Sequence, residues 1–492
     1  MNPKALLFVL IAIFTGCSNT EKLLLHSKNS GSQPVSILYK NYCASCHGSG
    51  RLGAMGPALL PENLSRLKKT EAVAVIKNGR VATQMPPFGA LLNEKEIKSL
   101  IEFIYSPLKS VPEWSKKNIE KSRQDFGCKP DDKSLLPAGI DPLNLFVIVE
   151  LGDHHITVLD GDKLVPLKRL KTDFAVHGGV KFSPGGRYAY IASRDGWISR
   201  YDLYTLKLCN RVRAGINIRN IAVSADGKYL AAANYLPHTL AILDAENFSV
   251  LRVLAVKSGG RSSRVSAVYS APPRKSFILA LKDIKEVWEF PYSAVKRDRG
   301  LRKIKTESFI DDFFFNQSYS ELIGASRAEQ SALVLDLDSG RELARIKLSG
   351  MPHLGAGISF DYHGRRVMAL PNLGKGLISV IDMSSWKTVK EIKTAGPGFF
   401  IRSHEKSPYF WADVFFGPNR DKIHVIDKKT LKIVKTLIPA PGKTSAHIEF
   451  DRYGRYALVS IWDMDGALVI YDAGTLKEVK RIKMKKPSGK YN

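Results

Sequence analysis
The feature that most constrains this chain is a repeat. FSPGGRYAYIASRDGWISRYDLYTLKL is followed by VSADGKYLAAANYLPHTLAILDAENFSVL, and later by FDYHGRRVMALPNLGKGLISVIDMSSWKTV and FDRYGRYALVSIWDMDGALVIYDAGTLKEV. Each unit reads as a glycine turn, an alternating strand, a loop, a second strand ending in aspartate, a turn and a third strand. The strand-ending residues Asp160, Asp202, Asp244, Asp336, Asp382, Asp427 and Asp472 lie 42 to 46 residues apart, except for one gap of double length after Asp244. SFILALKDIKEVWEFPYSAV fills that gap as a degenerate unit. Eight units of this period predict an all-β eight-bladed propeller over residues 140–492, with a seven-bladed ring as the alternative. One such module cannot bury the faces of its own sheet, so the ring forms a single domain despite its length.

A shorter block with different chemistry precedes the repeats. In YCASCHGSG, two cysteines and a histidine occupy five residues of a chain with five cysteines in all. C-x-x-C-H is the attachment signature of c-type haem. Cys43 and Cys46 would add to the haem vinyl groups, and His47 would be carried beneath the iron. A thioredoxin-like motif would need a βαβ context and has no use for His47. A zinc site would need a second ligand pair, and no other Cys/His pair has that spacing. Downstream, Thr83-Gln84-Met85-Pro86-Pro87-Phe88-Gly89 holds Met85 between a turn and two prolines, as a candidate sixth ligand that would raise the haem potential. Met55 is a more distant rival. From Asn93 to Tyr105, the residues Ile97, Leu100, Ile101 and Ile104 keep helical spacing behind an N-capping Asn93. Residues 35–108 therefore read as a small all-α electron-transfer domain resembling a class I cytochrome c. The charged, turn-rich stretch 109–139 reads as a linker.

The N-terminus bears on location. Lys4 and the apolar run from Ala5 to Phe14 have the layout of an export signal, too short to span a bilayer comfortably. Phe14-Thr15-Gly16-Cys17 resembles a bacterial lipobox. This makes residues 1–16 a lipoprotein signal peptide and Cys17 the lipidated first mature residue, with the chain on the periplasmic side of a membrane. Cleavage without lipidation is the alternative. Cys128 and Cys209 remain without a role. A formal charge of +27 favours acidic electron-transfer partners and an anionic membrane surface. Nucleic acid is excluded as a partner by export and by the lack of aromatic-basic recognition motifs.

A c-type cytochrome followed by an eight-bladed propeller resembles the cytochrome cd1 family. That family holds the periplasmic nitrite reductases that carry haem d1 and the related proteins that make it. The likeness covers residues 35–492 and rests on domain order and on Phe174-Ala175-Val176-His177, GRYAYIASRDGWISRYDL, FFIRSH and the terminal PSGKYN. It implies that His177 binds the d1 iron from the proximal side; His154 and His155, in a strand turn, read as solvated. Of the two distal histidines of the reductases, Met351-Pro352-His353-Leu354-Gly355 keeps one as His353. Phe309-Ile310-Asp311-Asp312-Phe313 has Asp311 in place of the other. An ionised aspartate would repel nitrite, so the resemblance implies a maturation oxidoreductase with His353 or Asp311 taking the proton. A nitrite reductase with altered distal chemistry and a non-catalytic haem d1 carrier are the alternatives. The carboxylates of haem d1, or of its dihydro precursor, call for arginines. Arg194 in SRDG and Arg219 in NIRN fall at matching places in successive blades, and Arg261, Arg264 and Arg402 complete the set. His404 is expected to support the channel. A homodimer stays open.

Overall fold
A computed structural model describes residues 33–492, apart from Met55, Arg66, 81–84, Ala175, His177, Gly178, 298–299 and 326–329. Among the described residues no helix is long and apolar enough to cross a membrane. The expectations placed on Cys17, Met55 and His177 lie outside the described residues.

Eight antiparallel sheets form the ring, each with four blade strands; a fifth strand is added at the edge of the second. Their innermost strands are Pro487–Tyr491, Lys181–Phe182, Asn217–Val223, Val265–Ala271, Asp312–Phe315, Ile358–Tyr362, Ile401–Ser403 and Ser445–Phe450, taken here as blades 1 to 8. Blade 1 is closed by the C-terminal residues: Tyr491 and Lys490 pair with Val147 and Ile148 of strand Leu145–Glu150. The PSGKYN tail is therefore the strand that shuts the ring. Apolar side chains from adjacent sheets meet between the blades. Ala222, Leu240 and Ile242 of blade 3, for instance, pack with Val268, Phe277 and Leu279 of blade 4.

The repeated aspartates have a direct physical role. Each ends the third strand of its blade, and its Oδ1 accepts the backbone N–H groups two and three residues on. For Asp382 these bonds are 2.8 and 2.9 Å, and for Asp427 they are 3.0 and 2.7 Å. The residue four places after the aspartate then takes positive φ: 56° at Leu164, 62° at Phe248, 54° at Leu431 and 73° at Gly340. A left-handed non-glycine residue costs about 1–2 kcal/mol. Burying Phe248, fully sequestered, is worth roughly 1.5–3 kcal/mol and offsets it. Blade 4 lacks the device: Pro291 stands where the aspartate would be, and a 3-10 turn, Tyr292–Val295, leads out instead.

The stretch read as a linker is built structure. Ser115 caps helix Lys116–Ser122, and Gln124–Asp125 pairs with Arg211 and Asn210 at the edge of blade 2. Cys128 forms a disulfide with Cys209 of the same blade edge. The belt thus runs from the cytochrome domain across blade 2.

In the cytochrome domain, helices Val35–Tyr42, Lys69–Asn78 and Glu94–Tyr105 enclose one apolar cluster. Asn93 caps the last helix as its sequence requires: its Oδ1 accepts Glu96 N at 3.0 Å while Glu96 Oε2 accepts Asn93 N at 2.9 Å. Ile97, Leu100, Ile101 and Ile104 are all buried.

Candidate functional site
In each blade the loops entering the innermost strand, and those joining the second strand to the third, open on one face of the ring. The aspartate turns lie on the other. His353, Asp311, Arg194, Arg402 and the segment around His177 all belong to the first face.

The cytochrome domain carries its motif on the short helix Ala44–His47. Cys43 and Cys46 are not joined to each other. His47 is buried, and its Nδ1 donates to the Pro57 carbonyl at 2.8 Å, since that oxygen can only accept. The Nε2 lone pair is thereby the one available to a metal, the usual arrangement for a ligating histidine. A side chain at Gly56 would meet the His47 ring at 2.9 Å, so the loop wraps closely beneath the imidazole. Met85, Cys43 and Phe88 pack against the same core cluster. Two thiols, an oriented imidazole and a thioether around one apolar core fit a covalent haem c. Arg51, unremarked in the sequence, is buried beside the motif. Its Nη1 donates to Phe103 O and, at 3.0 Å, to Ser106 O, closing the end of the last helix.

The domain rests on blades 2 and 3. Asn63 Nδ2 donates to Ile216 O at 3.3 Å, and Ala58, Leu60, Ile216 and Leu236 form a dry contact. Arg80 lies 5.5 Å above the ring of Phe174, in the loop that carries His177. Val176 in that loop pairs with Ser193.

Around the ring axis, innermost strands bring cations and acids together. Tyr269 donates to Asp312 Oδ1 at 2.8 Å, and the ammonium of Lys181 sits 5.9 Å from the Tyr269 ring. Burial lowers the pKa of Lys181, and the neighbouring Arg402 charge lowers it further while Asp312 opposes them. Arg219 lies within the field of Tyr235, Asp312 and Tyr269. Arg402 donates to Glu449 at 3.1 Å, and that charge holds its pKa above the usual range. Arg219 and Arg402 thus share one network through Asp312 and Lys181.

The other predicted arginines lie outside that network. Arg264 donates to both oxygens of Asp283, at 2.9 and 2.5 Å, and stacks on Tyr235. Arg261 is exposed on the two-residue strand Arg261–Ser262. Arg194 and Arg219 are not equivalent: Arg194 is in the turn between the second and third strands of blade 2, whereas Arg219 is on the innermost strand of blade 3. The spacing misled because only the neighbouring glycine turns repeat, not the positions of the arginines.

His353 Nδ1 donates to Phe399 O at 2.6 Å, and its ring packs against those of Phe399 and Phe400. In the neutral form its Nε2 carries the lone pair. Asp311 is paired with Lys282, so its charge is compensated rather than bare. His154 is not solvated as expected: it packs edge-on against Phe174 at 5.1 Å, and burial lowers its pKa. His155 is half-buried and bonds the Asp153 carbonyl at 2.8 Å. His404 follows the innermost strand of blade 7 at its opposite end and bonds Arg452 O at 3.2 Å, away from the site.

One histidine escaped the sequence reading. His447, on the innermost strand of blade 8, is 5% exposed, and its Nδ1 has no hydrogen-bond partner. Its ring lies 4.5 Å from Phe400 and 5.2 Å from Tyr491. Burial, then the Lys490 and Arg402 charges, hold it well below the usual imidazole range, so it is neutral. Lys490, fully buried, donates to the His447 carbonyl and to Ser460 Oγ. Tyr491 is pushed up to about 12 by burial. Only the position of Lys490-Tyr491 in the terminal PSGKYN pointed this way.

Comparison with known proteins matches residues 140–492 to the family described as cytochrome D1 heme domain. Residues 34–104 match the one described as cytochrome C oxidase, cbb3-type, subunit III. Dihydro-heme d1 dehydrogenase of Pseudomonas aeruginosa is 51% identical over 468 residues, covering 94% of each chain. Protein NirF of the same organism is 28% identical over 364 residues, 70% of this chain and 90% of its own. Nitrite reductase of Stutzerimonas stutzeri is 26% identical over 519 residues, 92% of this chain and 91% of its own. The solved structure of dihydro-heme d1 dehydrogenase NirN in complex with DHE superposes with a TM-score of 0.89 at 51% identity, covering 94% of this chain and 99% of that one. The chain therefore belongs to the cytochrome D1 heme domain family, in a form that joins a c-type cytochrome to the propeller.

Proposed function
We propose that the chain is an oxidoreductase of haem d1 maturation that oxidises dihydro-haem d1 bound in the propeller channel. The observation that carries this reading is the 51% identity to a dihydro-heme d1 dehydrogenase across both domains, against 26% to a nitrite reductase. The cytochrome domain, seated on the face where the cation network opens, supports it. So does the compensated Asp311, which offers no cationic acid to nitrite.

The reaction removes two electrons and two protons from the substrate. Haem c, held by Cys43, Cys46, His47 and Met85, supplies a one-electron carrier when bound. The two electrons pass in turn to an external one-electron acceptor protein of acidic surface, which suits a chain of net charge +27. Arg219, Arg402 and Lys181 pair with substrate carboxylates, and His177 holds the substrate iron. His353 Nε2 and the neutral His447 are the bases that accept protons, with Asp311 tuned by Lys282.

Export and lipidation at Cys17 belong to the same proposal, the anchor holding the enzyme at the periplasmic side of a membrane. The Cys128–Cys209 disulfide is in keeping with an oxidising compartment.

The test is anaerobic mixing of ferric holoprotein with dihydro-haem d1. The bands of reduced haem c should rise as those of the precursor give way to haem d1. Nitrite turnover without reaction on the precursor would replace this reading with a reductase. Tight binding without either reaction would favour a carrier, the reading to which the NirF likeness lends weight.

A further inference from the structure
We infer that Arg213 is a positioning residue that latches the loop following the C-x-x-C-H motif onto the propeller, so that electrons leaving the channel cross a fixed contact into the cytochrome domain. The electron-path half of this rests on the function proposed above; the latch itself does not.

Arg213 ends strand Lys207–Arg213 of blade 2 and is 6% exposed. Its Nη2 donates to Leu52 O at 2.6 Å, its Nη1 to Gly53 O at 3.4 Å and its Nε to Asp195 O at 3.0 Å. The guanidinium lies 4.6 Å over the ring of Trp114. Trp114 Nε1 in turn donates to Arg213 O at 2.8 Å, and Ser122 Oγ accepts Arg213 N, also at 2.8 Å. Belt, blade and cytochrome loop therefore converge on one side chain.

The loop it holds leads straight back to the motif. Gly53 N donates to His47 O at 2.9 Å, and Gly56 N to Cys46 O at 2.8 Å. Gly53 has φ of 81°, and a Cβ there would sit 2.9 Å from Arg213 Nη2 and 2.8 Å from Ala58 N. Only glycine allows so close an approach.

The choice of residue argues for positioning over packing. Burial still lowers the Arg213 pKa although the Asp195 carboxyl nearby opposes it, so this buried guanidinium is costly, and an apolar side chain would fill the gap more cheaply. What arginine adds is a rigid planar fork whose donors are charge-assisted and fix two neighbouring carbonyls of another domain at once.

The test compares ferric holoprotein with its Arg213→Met and Arg213→Lys variants. Without substrate, amide exchange in residues 48–60 should accelerate about tenfold or more in Arg213→Met and less in Arg213→Lys, with blades 4 to 8 unchanged. With dihydro-haem d1, kcat should fall on the order of tenfold to a hundredfold while KM and the haem c potential hold. Unchanged exchange in 48–60, or acceleration spread evenly over the propeller, would overturn the latch. Unchanged kcat with a loosened loop would overturn the electron path. If Arg213→Met does not fold, Trp114→Leu, which removes the ring beneath the guanidinium, must give the same local pattern. A parent protein inert toward dihydro-haem d1 would remove the proposed function and the electron path together, while the exchange comparison would still decide the latch.

Discussion

Breaking the Cys128–Cys209 bond should lower the melting temperature of the propeller by about 6 °C. The bond closes a loop across a sequence separation of 81, which contains all of blade 1 except its C-terminal strand, and most of blade 2. In the chain-entropy account, a loop of that length stabilises the fold by about 4.5 kcal/mol at 25 °C through restriction of the unfolded chain. An unfolding entropy of about 2.1 cal/mol/K per residue, over roughly 350 residues, converts this to the shift stated. Cys128→Ala with Cys209→Ala is the cleaner perturbation, because Cys209 is fully buried and a serine there would bring an unpaired hydroxyl. A phosphine reductant gives an independent arm, since thioether links to haem resist it. Scanning calorimetry of the holoprotein is the assay. A midpoint within about 1 °C of the parent would refute the entropy argument. Were faster amide exchange in residues 114–128 to accompany that unmoved midpoint, the bond would serve the belt alone.

Replacing Cys43 and Cys46 by Ala should abolish covalent haem, so that acidified organic solvent extracts it and the haem stain on a denaturing gel disappears. Asn93→Ala should cost the cytochrome domain about 1 kcal/mol in denaturant unfolding, because it removes the side-chain oxygen that accepts Glu96 N, while the bond from the residue 93 backbone N–H to Glu96 remains. His177→Ala should weaken the binding of added haem d1 and shift its visible bands while the haem c spectrum stays put; identical spectra would take His177 out of the site. Burial raises Asp413 from 3.8 to about 6 against the backbone N–H groups that favour its ionised form. An acid raised in the folded state costs stability as pH climbs from its unfolded to its folded value, and the cost is constant above. The melting temperature of Asp413→Asn relative to the parent should therefore rise between pH 4 and 6 and level off beyond; a flat difference would count against the raised carboxyl.

What could be read from the sequence follows from how local the chemistry is. Cys43, Cys46 and His47 fall within five residues, and the Asn93–Glu96 box within four, so spacing alone exposes them. The blade count was readable because Asp160 and its six counterparts make their bonds to residues two and three places on. Blade 4 broke the pattern only because Pro291 needs no such turn. The pairing of Arg264 was hidden because its partner, Asp283, comes from another loop 19 residues away. His447 was invisible for a stronger reason: its neighbours Phe400 and Arg402 come from blade 7 and Tyr491 from blade 1, which only ring closure brings beside it. The disulfide hid because Cys128 sat in a stretch whose charge suggested a linker.

The ring also separates what the proposed reaction must carry away. The cytochrome domain covers the face over blades 2 and 3, through Arg213, Ile216 and Leu236, and reaches the His177 loop through Arg80. His353 and Phe399 belong to blades 6 and 7, across the axis, and His447 to blade 8, next to the closing blade. In the proposed reaction electrons would leave toward blades 2 and 3 and protons would be taken toward blades 6 to 8, on different sides of the substrate. That division matters because the two sides need different surroundings. The electron side is a dry contact held by apolar residues and one buried guanidinium, where fixed distance counts most. The proton side needs a base that is neutral before it acts, and burial with nearby Lys490 and Arg402 keeps His447 in that state.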